Sequence, residues 1–406
     1  MKEQIKFQSD TVAIIGGGIV GLAIASELAI RFRSLKFHLF EKETSLGLHA
    51  STRNSGVLHA GFYYSPDSLK AELTFKGNQK LKIFMKQHGV PLEECGKVVV
   101  SKNLEEDSQI EVLHRRSKNY GIPTTIIDQN ELSNLEPLAK TYQTALWSPQ
   151  TAIADNYSLI RAFQSALPSN VSIYLNSRVE SVRENQITFK TEKKNYRHII
   201  NAAGTSAYRL AFESGFAQNY RLLAFRGSYL QSKNSKFRPH RLIYPVPSTK
   251  NPFLGIHLDR VIGGGARIGP TALPVLGREN YSGFKHLNSQ EIFEFASAFA
   301  LYARSNFGQV ITFAGKEISL LVRKKIEIEM KKIVPSFELT DFSKNAKPGI
   351  RAQLFDTNTK NLEMDFVLEG DENITHILNA VSPAWTGCLS FAELVCEHIS
   401  RLKVFQ

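Results

Sequence analysis

The stretch VAIIGGGIVGLAIASEL, followed by KFHLFEK, constrains the fold more than any other part of the chain. Val12 to Ile15 form a short apolar run suited to a buried parallel strand. Gly16, Gly18 and Gly21 then give G-x-G-x-x-G where the strand pattern turns helical. Gly16 permits the tight turn, Gly18 lets a pyrophosphate approach the backbone, and Gly21 lets the helix pack close to the sheet. Ile19 and Val20 open that helix, whose free N–H groups and positive dipole end suit phosphates. Phe37 to Phe40 read as the second strand, and Glu41 ends it 20 residues after Gly21. A carboxylate there accepts both hydroxyls of an adenosine ribose, with Lys42 beside it. Strand, turn, helix and acid in register predict a dinucleotide site in a Rossmann-like α/β sheet.

The glycines alone do not choose between FAD and NAD. Arg197 to Gly204 reads RHIINAAG, a short apolar strand ending in small residues. It resembles the second dinucleotide signature of flavoproteins, in which a strand end with Ala203 and Gly204 closes over the nucleotide. The preceding residues, from Ser172 onward, read as a small meander, and Arg178-Val179-Glu180 is placed to lay its backbone along an adenine. A separate NAD domain needs a second fingerprint. The candidate, IGGGARIG at Ile262–Gly269, runs into Pro270 and no helical pattern, so it supplies no helix N-terminus. It reads as a bent or bulged strand. One dinucleotide, FAD, is expected.

At 406 residues the chain can bury a large core and divide into two domains. No apolar run approaches the roughly 20 residues that span a bilayer. MKEQIKFQSD carries no signal-peptide core, so cytoplasmic residence is the default expectation. Cys95, Cys388 and Cys396 lie in no metal-ligand spacing and are expected to be reduced and structural, with no metal bound. The net charge of +12 attracts anions, yet no nucleic-acid module accompanies it, and a nucleic-acid partner is not expected. The densest basic stretch is RKKIEIEMKKIV, Arg323 to Val334. Val322, Ile326, Met330 and Ile333 give it a helical apolar stripe. A docked helix with a solvated basic face is the plainer reading. Peripheral contact with the inner face of a membrane is the sharper one.

Nucleotide signals fall near 12–59 and 171–205, with a third candidate at the C-terminus. Between them lie aromatic-rich alternating segments such as RGSYLQS and RLIYPVP. The expected architecture is α/β (α+β): a discontinuous FAD-binding domain with an inserted mixed or antiparallel β-sheet substrate domain. Residues 1–89, 151–210 and 346–406 are assigned to the first, 90–150 and 211–345 to the second.

Further segments make the chain similar to a known family. STRNSGVLHAGFYYSPDSLKAEL from Ser51, CGKVVVS from Cys95, FRGSYL from Phe225, YPVP from Tyr244 and PFLGIHL from Pro252 carry the likeness. So do IGPTALPVLGRENY from Ile268, KPGIRAQLFD from Lys347 and the terminal LNAVSPAWTGCLSFAELVCEHI. In this order they resemble the L-2-hydroxyglutarate dehydrogenases and oxidases, within the D-amino-acid-oxidase-like flavoproteins. Trp385 and Thr386, after Ala384, stand where that family tends to carry small residues.

The resemblance implies FAD-dependent oxidation of L-2-hydroxyglutarate to 2-oxoglutarate. Hydride passes from C2 to flavin N5, and electrons leave to oxygen or a quinone. The alternative is an oxidase of another small 2-hydroxy acid or of an amino acid such as glycine or sarcosine. A dicarboxylate hydroxy acid needs a base and cationic anchors. The loop with Thr52, Arg53, Asn54, Ser55 and Gly56 is implied to run along the pyrophosphate and isoalloxazine. His59 follows, flanked by Ala60 and Gly61, and is the first candidate for the base; Tyr64 lies near it. His257 in GIHL is the second, and the sequence does not rank the two firmly. Gly349 and Arg351 lie on a turn and strand implied to reach the flavin edge. A guanidinium fork there matches a carboxylate, or contacts the flavin instead. Arg226 and Arg278 are weaker candidates for the second carboxylate. Thr386 and Gly387 precede a helical pattern whose N–H groups suit the flavin pyrimidine carbonyl.

Overall fold

The computed structural model describes residues 10–232, 237–247, 254–283, 287–319 and 323–406. Pro252 and Phe253 of PFLGIHL, Val322 of the apolar stripe and the first nine residues lie outside them. A six-stranded sheet runs in the order Val367–Gly370, Ile374–Leu378, His198–Asn201, Thr11–Ile15, Lys36–Phe40, Val171–Tyr174. All neighbours pair in parallel except the edge strand Val367–Gly370. Both faces of Thr11–Ile15 are covered, as an unbroken apolar run requires. Val12 and Ile14 pack toward helices Ile19–Arg31 and Cys388–Ser400, while Ala13 and Ile15 pack toward the meander Ser181–Asn195 and helix Ala207–Glu213. Of the meander read from Ser172 onward, Ser181–Asn195 forms three antiparallel strands, while Ser172 to Tyr174 belong to the parallel edge strand Val171–Tyr174.

An eight-stranded mixed sheet runs Phe342–Asn345, Leu230–Ser232, Ala266–Gly269, His257–Arg260, Leu242–Pro245, Lys97–Val100, Ala145–Ser148, Thr125–Ile127. Val98, Val100, Ile243 and Leu258 face a core closed by Ile326, Met330 and Ile333. Helix Arg323–Lys331 is thus docked by its apolar stripe, and Lys331 and Lys332 pair with Glu327 and Glu329 on its outer side. The opposite face follows from the period of two. Register aligns Lys97 with Leu242, Val99 with Tyr244, and Ile243 with Leu258. Lys97, Tyr244, His257 and Asp259 therefore share one face.

The glycine run Ile262–Gly269 corrects the bent-strand expectation. Gly264 N–H donates to Val261 O, and Gly263, Gly264 and Gly265 all have positive φ. These glycines make the turn of a hairpin between His257–Arg260 and Ala266–Gly269.

Two smaller sheets join the large ones. Tyr220–Gly227 pairs antiparallel with Gly349–Asp356, flanked by Leu273–Val275 and Asn361–Leu362. Val57–Leu58 and Leu92–Glu93 both pair with Ala152–Ala154.

Candidate active site

Two cavities, of about 1160 Å³ and about 120 Å³, share Gly18, Ala50, Ser51, Ala202, Gly204 and Thr205 in their walls. They form one elongated site along the C-terminal ends of the parallel strands, where an open α/β sheet binds its ligand. The smaller cavity is the fingerprint end, lined by Gly16, Glu41, Lys42, Val179 and Ala203. Gly16 has φ +109°, and a Cβ there would stand 2.3 Å from Ala202 O. Gly21 lines neither cavity; a Cβ on it would stand 1.9 Å from Gly16 O, so its bareness seats the helix on the turn. Glu41 is buried, and its two carboxylate oxygens accept from Gly17 N–H (2.9 Å) and Glu43 N–H (3.0 Å). Lys42 is ion-paired with Glu43 at 3.0 Å and with Glu279. Ser51 Oγ accepts from Ile19 N–H at 2.9 Å, at the mouth of the fingerprint helix.

The larger cavity is lined by Ile19 and Val20, by Arg53, Asn54 and Ser55, and by Tyr64. Thr52 and Gly56 support the loop from behind. Thr52 Oγ1 donates to Gly47 O at 2.7 Å, and Gly56, at φ +68°, has Ala154 O 2.5 Å from where a Cβ would be. Arg53 donates to Leu48 O at 2.8 Å and stacks on Tyr281, 4.1 Å from its ring centre. Gly349 lines the cavity at a close crossing, where a Cβ would stand 2.1 Å from Arg53 O. Thr386 also lines it, accepting from His59 N–H at 3.1 Å and donating to Val57 O at 3.3 Å. Gly387 caps helix Cys388–Ser400 and lies against Leu73 O, outside the cavity wall.

His59, His257 and Arg351 line the same cavity. His59 Nδ1 is buried without a hydrogen-bond partner. Burial, then the charges of Lys97, His257 and Arg351, push its pKa down to about 3. His257 is differently placed. Its Nδ1–H donates to Gly255 O at 2.8 Å, and its ring stacks on Tyr244 at 3.8 Å between centres. Its Nε2 lies 3.7 Å from Asp259 Oδ2. Burial lowers its pKa, and Asp259 opposes the fall. Asp259 accepts from Tyr244 OH at 2.9 Å through Oδ1, while Oδ2 is buried without a hydrogen bond.

Arg226 and Arg278 are not brought to the cavity wall. Arg278 is buried in ion pairs with Glu291 and Glu294, both at 2.5 Å. Arg226 stands on strand Tyr220–Gly227 and lines neither cavity. The cations on the wall, among the described residues, are Arg53, Lys70, Arg116 and Arg351. Lys70 is buried, and burial brings its pKa down to about 8 against the pull of Asp365 and Glu363. Sequence reading missed Ser51, Lys70, Lys97, Tyr244 and Asp259. Two signals were present: a lysine inside the apolar strand CGKVVV, and an aspartate two residues after His257, hence on the same face.

These residues fit FAD. A helix N-terminus with a bare glycine suits phosphates, the buried acid Glu41 lines the same cavity as that glycine turn, and His59 and Trp385, each with an unpartnered buried polar atom, line the larger cavity. The family model described as FAD dependent oxidoreductase, DAO, matches residues 11–398. The L-2-hydroxyglutarate dehydrogenase of Indibacter alkaliphilus is 33% identical, over 95% of this chain and 98% of that protein. The mitochondrial enzymes of the same name from Caenorhabditis elegans and Homo sapiens are 32% and 30% identical, over 99% and 96% of this chain and 96% and 88% of theirs. In fold, the chain is similar to FAD-bound L-α-glycerophosphate oxidase of Mycoplasma pneumoniae (TM-score 0.75, 23% identity, 96% and 95% of the two chains). It is also similar to glycine oxidase of Geobacillus kaustophilus (TM-score 0.70, 18% identity, 97% and 95%). With that match across nearly its whole length, the chain belongs to the DAO family of FAD-dependent oxidoreductases, in the branch of the L-2-hydroxyglutarate dehydrogenases.

Proposed function

We propose that this enzyme oxidises L-2-hydroxyglutarate to 2-oxoglutarate. The observation that carries the reading is one cavity holding Arg351, His59 and His257 together, in a chain whose full-length relatives bear that activity in their names. Bound FAD supplies the acceptor for the hydride leaving C2. Gly16, Gly18, Ile19, Val20 and Ser51 hold its pyrophosphate, Glu41 its ribose, and Val179, Ala203 and Gly204 its adenine side. Arg53, Asn54, Ser55, Gly349 and Thr386 surround the flavin.

Arg351 clamps the carboxylate next to C2 with its guanidinium fork. The second carboxylate falls to Lys70 or Arg116, the cavity cations that remain beside Arg351 and the Tyr281-stacked Arg53. His257 takes the hydroxyl proton. Its Nδ1–H is committed to a backbone carbonyl, which leaves Nε2 as the basic nitrogen. Asp259 stands behind that nitrogen to stabilise the imidazolium. His59 has cationic and imidazole neighbours and no acid among the charges acting on it, so it serves as a neutral hydrogen-bond partner for the substrate hydroxyl.

The FAD-binding unit is 1–89, 151–210 and 346–406, and the substrate unit 90–150 and 211–345. In support, each of the two large sheets draws its strands from one set alone, and two of the three small sheets bridge the sets. Oxygen or a membrane quinone takes the electrons, and the protein resides in the cytoplasm with peripheral contact at the inner face of the membrane. No helix among the described residues is long and apolar enough to cross a membrane. Exposed Phe293, Phe307 and Ile311 sit on the two helices that also bring Tyr302, Asn306 and Gln309 to the cavity wall, which favours a surface contact at the cavity mouth.

The test is anaerobic flavin bleaching. L-2-hydroxyglutarate should bleach faster than its D-isomer, lactate, glycine or sarcosine. His257→Ala should keep its yellow colour and reduce about 10²–10⁴-fold more slowly. Faster bleaching by glycine moves the assignment to amine oxidation, and a His257→Ala protein as fast as the parent removes that residue from the role of base.

A further inference from the structure

Lys97 is an anomaly in the sheet. It is 0% exposed, in a strand whose other residues, Val98, Val99 and Val100, are apolar and fully buried. Its Nζ has no hydrogen-bond partner. It is caged instead by the rings of Tyr63 at 4.0 Å, Phe62 at 4.7 Å and Tyr244 at 4.9 Å. Rings attract a cation but replace its hydration poorly, and burying an ammonium without an acceptor is costly. A methionine would fill such a place more cheaply, so packing alone does not account for a lysine.

Its surroundings give the charge a use. Tyr63 and Tyr244, two walls of the cage, also line the substrate cavity. Lys97 shares its face of the sheet with Tyr244, His257 and Asp259. The charged and titratable groups around His257 come from five elements. Asp259 stands on its own strand, and Tyr244 and Lys97 on the next two. His59 comes from the loop after Val57–Leu58, and Arg351 from strand Gly349–Asp356. Burial opposes a protonated His257 most strongly, Asp259 favours one, and Arg351 and then Lys97 add to the opposition.

We propose that Lys97 is a positioning residue, whose buried ammonium adds to burial and to Arg351 in holding His257 neutral and ready to take the substrate's hydroxyl proton, with Asp259 stabilising the imidazolium once it forms. The proposal rests on the reading of His257 as the base. The cation is present where it is needed. Burial brings the pKa of Lys97 down to about 7, so it is charged on the acid side, where a histidine otherwise takes a proton from water.

Rapid anaerobic mixing of the FAD-loaded enzyme with L-2-hydroxyglutarate, followed from pH 5 to 8.5, tests this. The readout is the reduction rate constant divided by the substrate dissociation constant. In Lys97→Met and Lys97→Gln the acid limb should move up by about one pH unit, at the low end of what a nearby charge does in a buried site. The rate on that limb then falls about tenfold, and the alkaline plateau stays. Asp259→Asn should move the limb the other way, opposite shifts that a packing defect does not produce. An unmoved or downward-moved limb in a neutral Lys97 variant that keeps the flavin spectrum overturns the proposal. So does failure of both neutral variants to hold FAD, which would make the charge a folding requirement. His257→Ala separates the two readings. If it reduces flavin at the parent rate, the base assignment falls. If it is slow while the Lys97 variants keep the parent profile, only the role of Lys97 falls.

Discussion

Arg351 and Gly349 sit two residues apart on one strand and contribute in different ways. Gly349 leaves room for the Arg53 carbonyl, and Arg351 brings a guanidinium to the cavity. If Arg351 clamps a carboxylate, Arg351→Lys keeps the charge and loses the fork. A charged hydrogen bond contributes roughly 1.5–3 kcal/mol, so substrate affinity should fall about tenfold or more, read as the substrate dependence of flavin bleaching. Unchanged affinity places Arg351 outside the substrate site. The second anchor is resolved by comparing dicarboxylate with monocarboxylate. Lys70→Met or Arg116→Met, whichever holds the distal carboxylate, should weaken 2-hydroxyglutarate and leave lactate as poor as before.

Single residues join distant elements at this site. Thr386, just before helix Cys388–Ser400, ties the strand Val57–Leu58 and the backbone of His59 to the C-terminal segment by two hydrogen bonds. Thr386→Val keeps the shape and leaves Val57 O and His59 N–H without that partner. The expected cost is about 2 kcal/mol, at roughly 1 kcal/mol per hydrogen bond. Urea unfolding measures it, and Thr386→Ser should recover most of the loss; equal stability of both variants rejects the clasp. At the fingerprint turn, a Cβ on Gly18 would meet the Ser51 Oγ at 3.0 Å, on the side assigned to the phosphate. Gly18→Val should yield folded, colourless protein, and full flavin occupancy in it contradicts the assignment of that turn.

Burial lowers the pKa of the four buried histidines among the described residues, His257 included, and gives the whole molecule a pH response. His59 is held near 3, and His198 and His376 near 4, each mainly by burial, against an ordinary 6.5. Between those values the unfolded chain binds more protons than the folded one, so stability is full above about 6.5 and falls as the pH drops toward 4. One pKa unit is worth about 1.4 kcal/mol, so by pH 5 each such site costs about 2 kcal/mol. The urea midpoint of the FAD-loaded protein should therefore drop steeply between pH 7.5 and 5. His198→Asn, which keeps polar atoms near Thr375 and the Glu372 carbonyl, should reduce the drop. A midpoint independent of pH over that range rules the effect out. Bound FAD adds stability by mass action, about 2.7 kcal/mol at a hundredfold excess over its dissociation constant, so flavin concentration must be held constant.

Local chemistry made the nucleotide end legible in the sequence. A strand, three glycines at set spacing, a helix and Glu41 must be neighbours in space because they are neighbours in the chain. The docked helix Arg323–Lys331 followed from a period of 3.6, which is also local. The glycine run Ile262–Gly269 was misread because a hairpin turn and a bent strand use the same residues. Only the partner strand His257–Arg260 separates them. The substrate end was decided by the tertiary structure. Arg278 and Arg351 look alike in sequence, yet Glu291 and Glu294 of a following helix take up the first, while the second reaches the cavity. Lys97 and His257 lie 160 positions apart in the chain, and sheet pairing alone puts them on one face. A side chain's charge is written in its residue type; what neutralises, buries or exposes that charge depends on contacts between distant segments, and those exist only once the sheets have assembled.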